Sequence, residues 1–276
     1  EPNPGALIEE AGANLGAGDF SISAWVNAAD EGGDILSMYD PAARRGFNFS
    51  VVTSTGSNCA QPNWRHVHFG IDNGRVSQPW TDCGRPGGAV LIFSLAVHQG
   101  GLYASTCEPD AASSGRVYLW KGGTQWVECG APDRSNSVAA LAAWNGSLYA
   151  GTARYNLGGS ALPASTNQVP GGRVFRYEGN AHWVDCGNPG GIAAIHGLAV
   201  FRGRLYASSL YQTAGVYRYE GGREWRFCGN GAGKRINTLT VHDGRLYGTS
   251  YDVGQIFRYD GDQGWTSVGE LPGTTQ

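Results

Sequence analysis

His196, Tyr211 and Tyr251 are the side chains of this sequence best suited to move protons, and Arg154, Arg134, Lys234 and Arg235 are those best suited to hold an anion. They stand out because they interrupt a repeat. Two residues ahead of an apolar Leu that recurs along the chain, three copies carry Phe93, Ala139 and Asn237, and the remaining copy carries His196. Only histidine titrates near neutrality without special tuning, so this position is a candidate general base; a core histidine is the competing reading. Five residues after a recurring Tyr the copies carry Glu108, Arg154, Tyr211 and Asp252, with Tyr251 beside the last. A scaffold position keeps one residue type, whereas four polar types describe a shaped, asymmetric surface. Tyr155 and Asn156 extend that surface beside Arg154, Arg134 and Asn136 extend it in another loop, and Lys234 and Arg235 in a third, with Arg44 and Arg45 as further basic candidates.

Aromatic faces stack on the C–H faces of sugar rings, and amide, carboxylate and guanidinium groups bond their hydroxyls. The set therefore reads as a glycan site. Its local positive charge predicts an anionic glycan, because Arg binds carboxylates in paired, charge-assisted bonds. On a uronate, an Arg would neutralise the carboxylate and acidify the adjacent C5 proton. His196 or a rim Tyr would remove that proton, and Tyr211 or Tyr251 would protonate the leaving oxygen, which is a lyase reaction. A hydrolase would need two carboxylates flanking the bond, and Glu108 with Asp252 is the rim pair on offer. A non-catalytic, single-site binding module or protein-interaction module is the alternative. No metal or other cofactor is expected: His66 and His68 share a strand face but lack a visible third ligand. Nucleotide binding is disfavoured because no Gly-rich phosphate loop opens a helix.

The elements that must position these residues follow from the repeat. A Trp-x-x-Cys-Gly signature recurs at Trp80–Gly84, Trp126–Gly130, Trp183–Gly187 and Trp225–Gly229, with Val268 replacing Cys in Trp265–Gly269. Between signatures lie an apolar strand ending in Gly, a Leu-Tyr-Ala/Gly strand and a Val/Ile-aromatic strand closing on a Gly turn. The spacings from Cys to Cys are 46, 57 and 42 residues, and four short strands in such a period make a β-propeller blade. The expected fold is all-β: a single closed propeller spanning 1–276, five-bladed with six as the alternative. Residues 1–84 form an atypical first blade, from strands at Phe20–Val26, Asp34–Tyr39, Phe47–Val52 and Val67–Ile71. The regular blades are 85–130, 131–187, 188–229 and 230–269. In this fold the proton-moving and binding candidates ring one end of the axis. Arg154–Gly171, an 18-residue connection between a second and a third strand that also carries Asn167 and is longer than its counterparts, is a candidate functional loop.

Forty-four glycines without a Gly-x-y period read as many tight turns. A net charge of −3 gives no general attraction to nucleic acid or anionic membrane, and no apolar run is long enough to span a bilayer. Cys83, Cys129, Cys186 and Cys228 occupy one repeat position, too far apart from blade to blade for disulfides, so they are expected to be reduced and buried. Cys59 and Cys107 lie outside that position and are left either paired with each other or free. The chain begins at Glu1, which reads as a mature form or an excised domain; the expected state is a monomer, secreted or at the cell surface.

The signature and its strands resemble secreted repeat propellers of the kelch or galactose-oxidase kind, or five-bladed carbohydrate-active propellers. The resemblance implies the fold over roughly the repeated part of the chain and leaves the activity open. Neither a clean kelch Gly-Gly pair nor the copper set of galactose oxidase is present. Phe20–Val26 followed by Arg45-Gly46-Phe47 resembles the opening strands of laminin-G-like sandwiches, over a stretch too short for a whole one.

Overall fold

A computed structural model describes residues 21–25, 33–40, 42–43, 45–52, 66–73, 81–110, 112–159, 162–211 and 213–270. The chain divides into two compact units, residues 1–55 with 62–80, and residues 56–61 with 81–276. In the first, β1 (Gly33–Asp40), β2 (Arg45–Val52) and β3 (His66–Asn73) form an antiparallel meander. Asp40 starts its tight turn by accepting the backbone N–H groups of Ala42 and Ala43. Residues 21–25, within the expected strand Phe20–Val26, are not in a strand. Arg44, Cys59 and the His66 and His68 side chains lie outside what is described.

The second unit holds four repeats of one antiparallel pattern. They are β4 (Leu91–His98), β5 (Gly101–Cys107), β6 (Val117–Gly122) and β7 (Gln125–Glu128); β8 (Ser137–Trp144), β9 (Ser147–Ala153), β10 (Val174–Tyr177) and β11 (Trp183–Asp185); β12 (Ile195–Phe201), β13 (Arg204–Ser209), β14 (Val216–Gly221) and β15 (Glu224–Phe227); and β16 (Ile236–His242), β17 (Arg245–Ser250), β18 (Gln255–Gly261) and β19 (Gly264–Glu270). One bridge, Cys107 to Ser137, joins the edges of the first two. The first strands, β4, β8, β12 and β16, lie side by side in that order, as the inner strands of propeller blades do. Among the described residues the helical turns are two short 3₁₀ segments, Leu157–Gly159 and Pro189–Gly191.

Strand alternation gives each blade two faces, and the repeat writes both. One face carries the Cys of the signature and the Val of the third strand. The other carries the Leu of Leu-Tyr-Ala and the signature Trp. Val117 and Cys129 of one blade thus pack with Leu148 and Trp183 of the next, Val174 and Cys186 with Leu205 and Trp225, and Val216 and Cys228 with Leu246 and Trp265. Leu148, Leu205 and Leu246 are fully buried, each contributing about 2–3 kcal/mol of hydrophobic stabilisation. Leu95, the first-blade counterpart of Leu141, is 60% exposed where Leu141 is 7%.

The signature is explained by a clasp between blades. The Trp Nε1–H donates to the carbonyl of the preceding blade's Cys: Trp183 to Cys129, Trp225 to Cys186 and Trp265 to Cys228, at 2.7–2.8 Å. Trp126 makes the same bond to Cys83 at 2.7 Å. The signature Gly has positive φ and lies under the next blade's turn; a Cβ on Gly187 would stand 2.5 Å from the Arg223 carbonyl oxygen. Cys83, Cys107, Cys129, Cys186 and Cys228 are free thiols, all buried except the partly exposed Cys83. Cys107 is therefore not paired, and burial pushes its thiol up to about 12.

Candidate functional site

Each inner strand is bulged at its first turn of register, and the residue left out of the pairing is Phe93, Ala139, His196 or Asn237 in successive blades. A bulge re-aims a side chain out of the ladder. The position at which His196 breaks the repeat is thus a structural device common to all four blades. Phe93 and His196 meet edge to face with ring centroids 5.5 Å apart, and Phe93 meets Tyr155 in the same way at 4.9 Å. Ala139, Ala153, Ala194 and Leu210 form a small buried floor, against which Phe93, Tyr155, Tyr211 and Tyr251 pack. Residues from four blades therefore converge at one end of the inner strands.

His196 has both ring nitrogens buried, and neither finds a hydrogen-bond partner in the protein. Burial lowers its pKa from the usual 6.5 to about 4, with nearby Asn237 acting weakly in the opposite direction. The imidazole is accordingly neutral at neutral pH. Asn237 Oδ1 is also buried without a formed hydrogen bond, and it is the acceptor that would take a hydrogen bond from a protonated His196, which is why it opposes the effect of burial. Tyr211 Oη accepts the Asn156 backbone N–H at 3.0 Å and keeps its own proton, because burial raises its pKa while the Asn156 bond and Arg235 partly offset this.

Several rim candidates are committed to one another. Arg235 lies over the Tyr251 ring at 4.4 Å. Its Nε and Nη2 both donate to Asp252 Oδ1, at 2.8 and 2.5 Å, and its backbone N–H donates to Oδ2 at 2.7 Å. Burial alone would raise the Asp252 pKa, but the Arg235 bonds and charge, with Lys234 adding to them, hold it below the usual carboxylate value. Asn136 is fully buried and clasps the Tyr155 backbone in both directions, donating to its carbonyl at 2.8 Å and accepting its N–H at 2.7 Å. Glu108 is buried, accepts the Thr106 hydroxyl at 3.0 Å, and has its pKa raised by burial against the opposing pull of Thr106, Arg116 and Arg85.

The 154–171 loop is pinned at both ends. Asn156 binds Tyr211 at its start, and Leu157 is buried. At its far end the buried Asn167 side chain donates to the carbonyls of Arg134 and Ser113, at 2.9 and 3.3 Å. Arg154, Asn156 and Arg134 are exposed, and Lys234 is half-buried. The structure thus brings Tyr155, Tyr211 and Tyr251 to one floor, sets His196 against Phe93, which packs on the same floor, and pairs Arg235 with Asp252. It places Glu108 and Asn136 inside the scaffold. Phe93 and Asn237 complete the axial cluster; in the sequence they are the repeat counterparts of His196, and their residue types alone do not mark them out.

These sheets and their convergent inner strands define an all-β, multi-bladed propeller with an asymmetric polar break at one axial end. No protein-family model matches the sequence, and no match is found among curated proteins. Among solved structures, a gluconolactonase from Xanthomonas campestris superposes with a TM-score of 0.52 at 16% identity, over 89% of this chain and 90% of that one. A presumptive gluconolactonase superposes with a TM-score of 0.50 at 13% identity, over 89% and 83% of the two chains. At such identities the likeness establishes the fold. It singles out neither kelch nor galactose-oxidase nor laminin-G proteins.

Proposed function

We propose that this propeller processes a sugar derivative at a single site on the axial end floored by Ala139, Ala153, Ala194 and Leu210. The observation that carries the reading is His196: the one titratable residue at a bulge position otherwise held by Phe93, Ala139 and Asn237, with two unsatisfied nitrogens beside an aromatic wall. A buried polar group left unpaired costs stability, and such costs concentrate where a site is used. The gluconolactonase fold likeness accords with sugar chemistry but does not specify the reaction.

In the reading we favour, the ligand is an anionic glycan, held through Arg154, Arg134 and Lys234, with Asn156 and Tyr155 lining its path. Neutral His196 takes the C5 proton of a uronate, the freed electron pair forms the C4=C5 double bond, and the C4–O bond breaks. The leaving oxygen takes its proton from Tyr211 or Tyr251, and the His196 proton restores the tyrosine. Arg235 and Asp252 act as a locked pair that positions the Tyr251 ring. Incubation with uronate polysaccharides should produce the ultraviolet absorbance of the new double bond. That signal should be lost in His196→Gln with binding retained; turnover surviving in His196→Gln removes the base assignment.

A non-catalytic binding module is the second reading, favoured by the sealing of both imidazole nitrogens from solvent. Glycan-array binding without turnover of any bound glycan selects it. The ring is proposed to have five blades, with residues 1–84 supplying the first. The Trp126–Cys83 bond shows that the signature clasp recurs ahead of β4. Removing residues 1–80 should then sharply lower thermal stability; unchanged stability refutes it. A secreted or cell-surface monomer fits this reading and is part of the proposal.

A further inference from the structure

The opposite end of the propeller carries a second departure from the repeat. It involves one residue of the turn between the first two strands of a blade and two residues of the next blade, one at the start of its second strand and one in its third. The equivalent positions in successive blade pairs are Gln99, Ser147 and Arg176; Asn145, Arg204 and Arg218; and Arg202, Arg245 and Arg258. The last three arginines, with Tyr259 and Asp260, line a cavity of about 330 Å³. It lies at the far end of β12 from His196, roughly 20 Å away at the rise of a β-strand.

The charge of this cavity is not cancelled from within. Asp260 is its one carboxylate. Its Oδ1 accepts Arg258 Nε at 2.7 Å and its Oδ2 accepts the Thr266 hydroxyl at 2.5 Å. Those bonds hold its pKa low, and Arg245 adds to the effect through space. Neither Arg202 nor Arg245 forms an ion pair with any described residue. The Arg202 guanidinium rests 5.0 Å from the Phe201 ring centroid, which positions it at the cavity edge.

The backbone supplies an independent argument. Gln99, Asn145, Arg202 and Asp243 occupy the same left-handed turn position, with φ between 46° and 48°. Asn and Asp suit that conformation, whereas Gln99 and Arg202 do not. A residue kept against its local backbone preference points to a role for its side chain.

We propose that Arg202, Arg245 and Arg258 form a binding site for a tetrahedral oxyanion, a phosphate or sulfate group, distinct from the axial site. Three guanidiniums around one cavity match three terminal oxygens, and Arg presents donors in the planar fork that such groups accept. The site does not depend on the axial reading, since no residue is shared.

Isothermal titration at low ionic strength should show binding of inorganic phosphate or sulfate that weakens as salt is raised. Arg202→Asn restores a residue suited to the turn and removes the guanidinium. It should leave thermal stability unchanged or higher while weakening binding about tenfold or more, as expected for loss of a charge-assisted contact. Arg245→Gln should weaken binding comparably, and His196→Phe should not alter it. Glucose 6-phosphate or glucose 6-sulfate binding more tightly than the inorganic ions, with that binding weakened in Arg202→Asn, identifies an esterified sugar as the ligand of this site, and equal binding that is weakened in the same way identifies the free ion. No measurable binding of any of the four, or equal binding by Arg202→Asn and the unmodified protein, overturns it.

Discussion

Replacing His196 by Phe tests the axial site through stability as well as activity. The folded-state pKa of about 4 against the usual 6.5 means that the unfolded chain binds the extra proton between these values. Unfolding free energy therefore rises with pH across that window, and the stability contributed by neutral His196 is lost as pH falls from about 6.5 toward 4. A separation of this size is worth about 2–3 kcal/mol between pH 7 and pH 4.5. At pH 7 the buried, unbonded imidazole already costs about 1–3 kcal/mol of desolvation, which an aromatic hydrocarbon ring of similar shape would not. His196→Phe should thus be more stable than the unmodified protein at pH 7, and the gap should widen by about 2–3 kcal/mol at pH 4.5. Urea unfolding of both proteins at the two pH values measures this directly. His196→Leu guards against overpacking beside Phe93. If both variants are destabilised at pH 7 and the gap does not widen on acidification, the histidine is well satisfied in the fold and the argument from its unpaired nitrogens is wrong.

Trp225→Phe removes the indole N–H that binds the Cys186 carbonyl and should cost about 1–2 kcal/mol in denaturant unfolding; Trp183→Phe should behave alike, because the clasp repeats. Gly187→Ala forces a Cβ against the Arg223 carbonyl at a φ of +95° and should destabilise by more than about 2 kcal/mol, read as a fall in melting temperature. Asn167→Ala frees the far end of the 154–171 loop from Arg134 and Ser113. Limited proteolysis should then cut within the loop faster while the global melting temperature changes little.

Much of the architecture was readable along the chain because its determinants are local and periodic. The Leu of Leu-Tyr-Ala, the Val of the third strand and the signature Trp and Cys each recur at an alternation that assigns a sheet face. A face buried in one blade is buried in the next for the same reason. The departures from that pattern, His196 and the 154–171 loop above all, were legible by subtraction of the repeat.

What departures do is a matter of which remote groups they meet, and this was decided in three dimensions. Arg235 and Asp252 read as two separate rim charges, yet their 17-residue separation closes into a paired contact that largely consumes both. Asn136 looked like a ligand-facing amide and instead substitutes for a missing pair of backbone bonds around Tyr155. Glu108 turned inward to Thr106. The inner-strand bulge that aims His196 leaves no signature in residue type, since Phe, Ala, His and Asn all occupy it. The repeat alone therefore determined the blades and the place where they vary. The tertiary structure decided which varying side chains stay available, because hydrogen-bond partners and desolvation are set by distances between segments that the sequence does not place side by side.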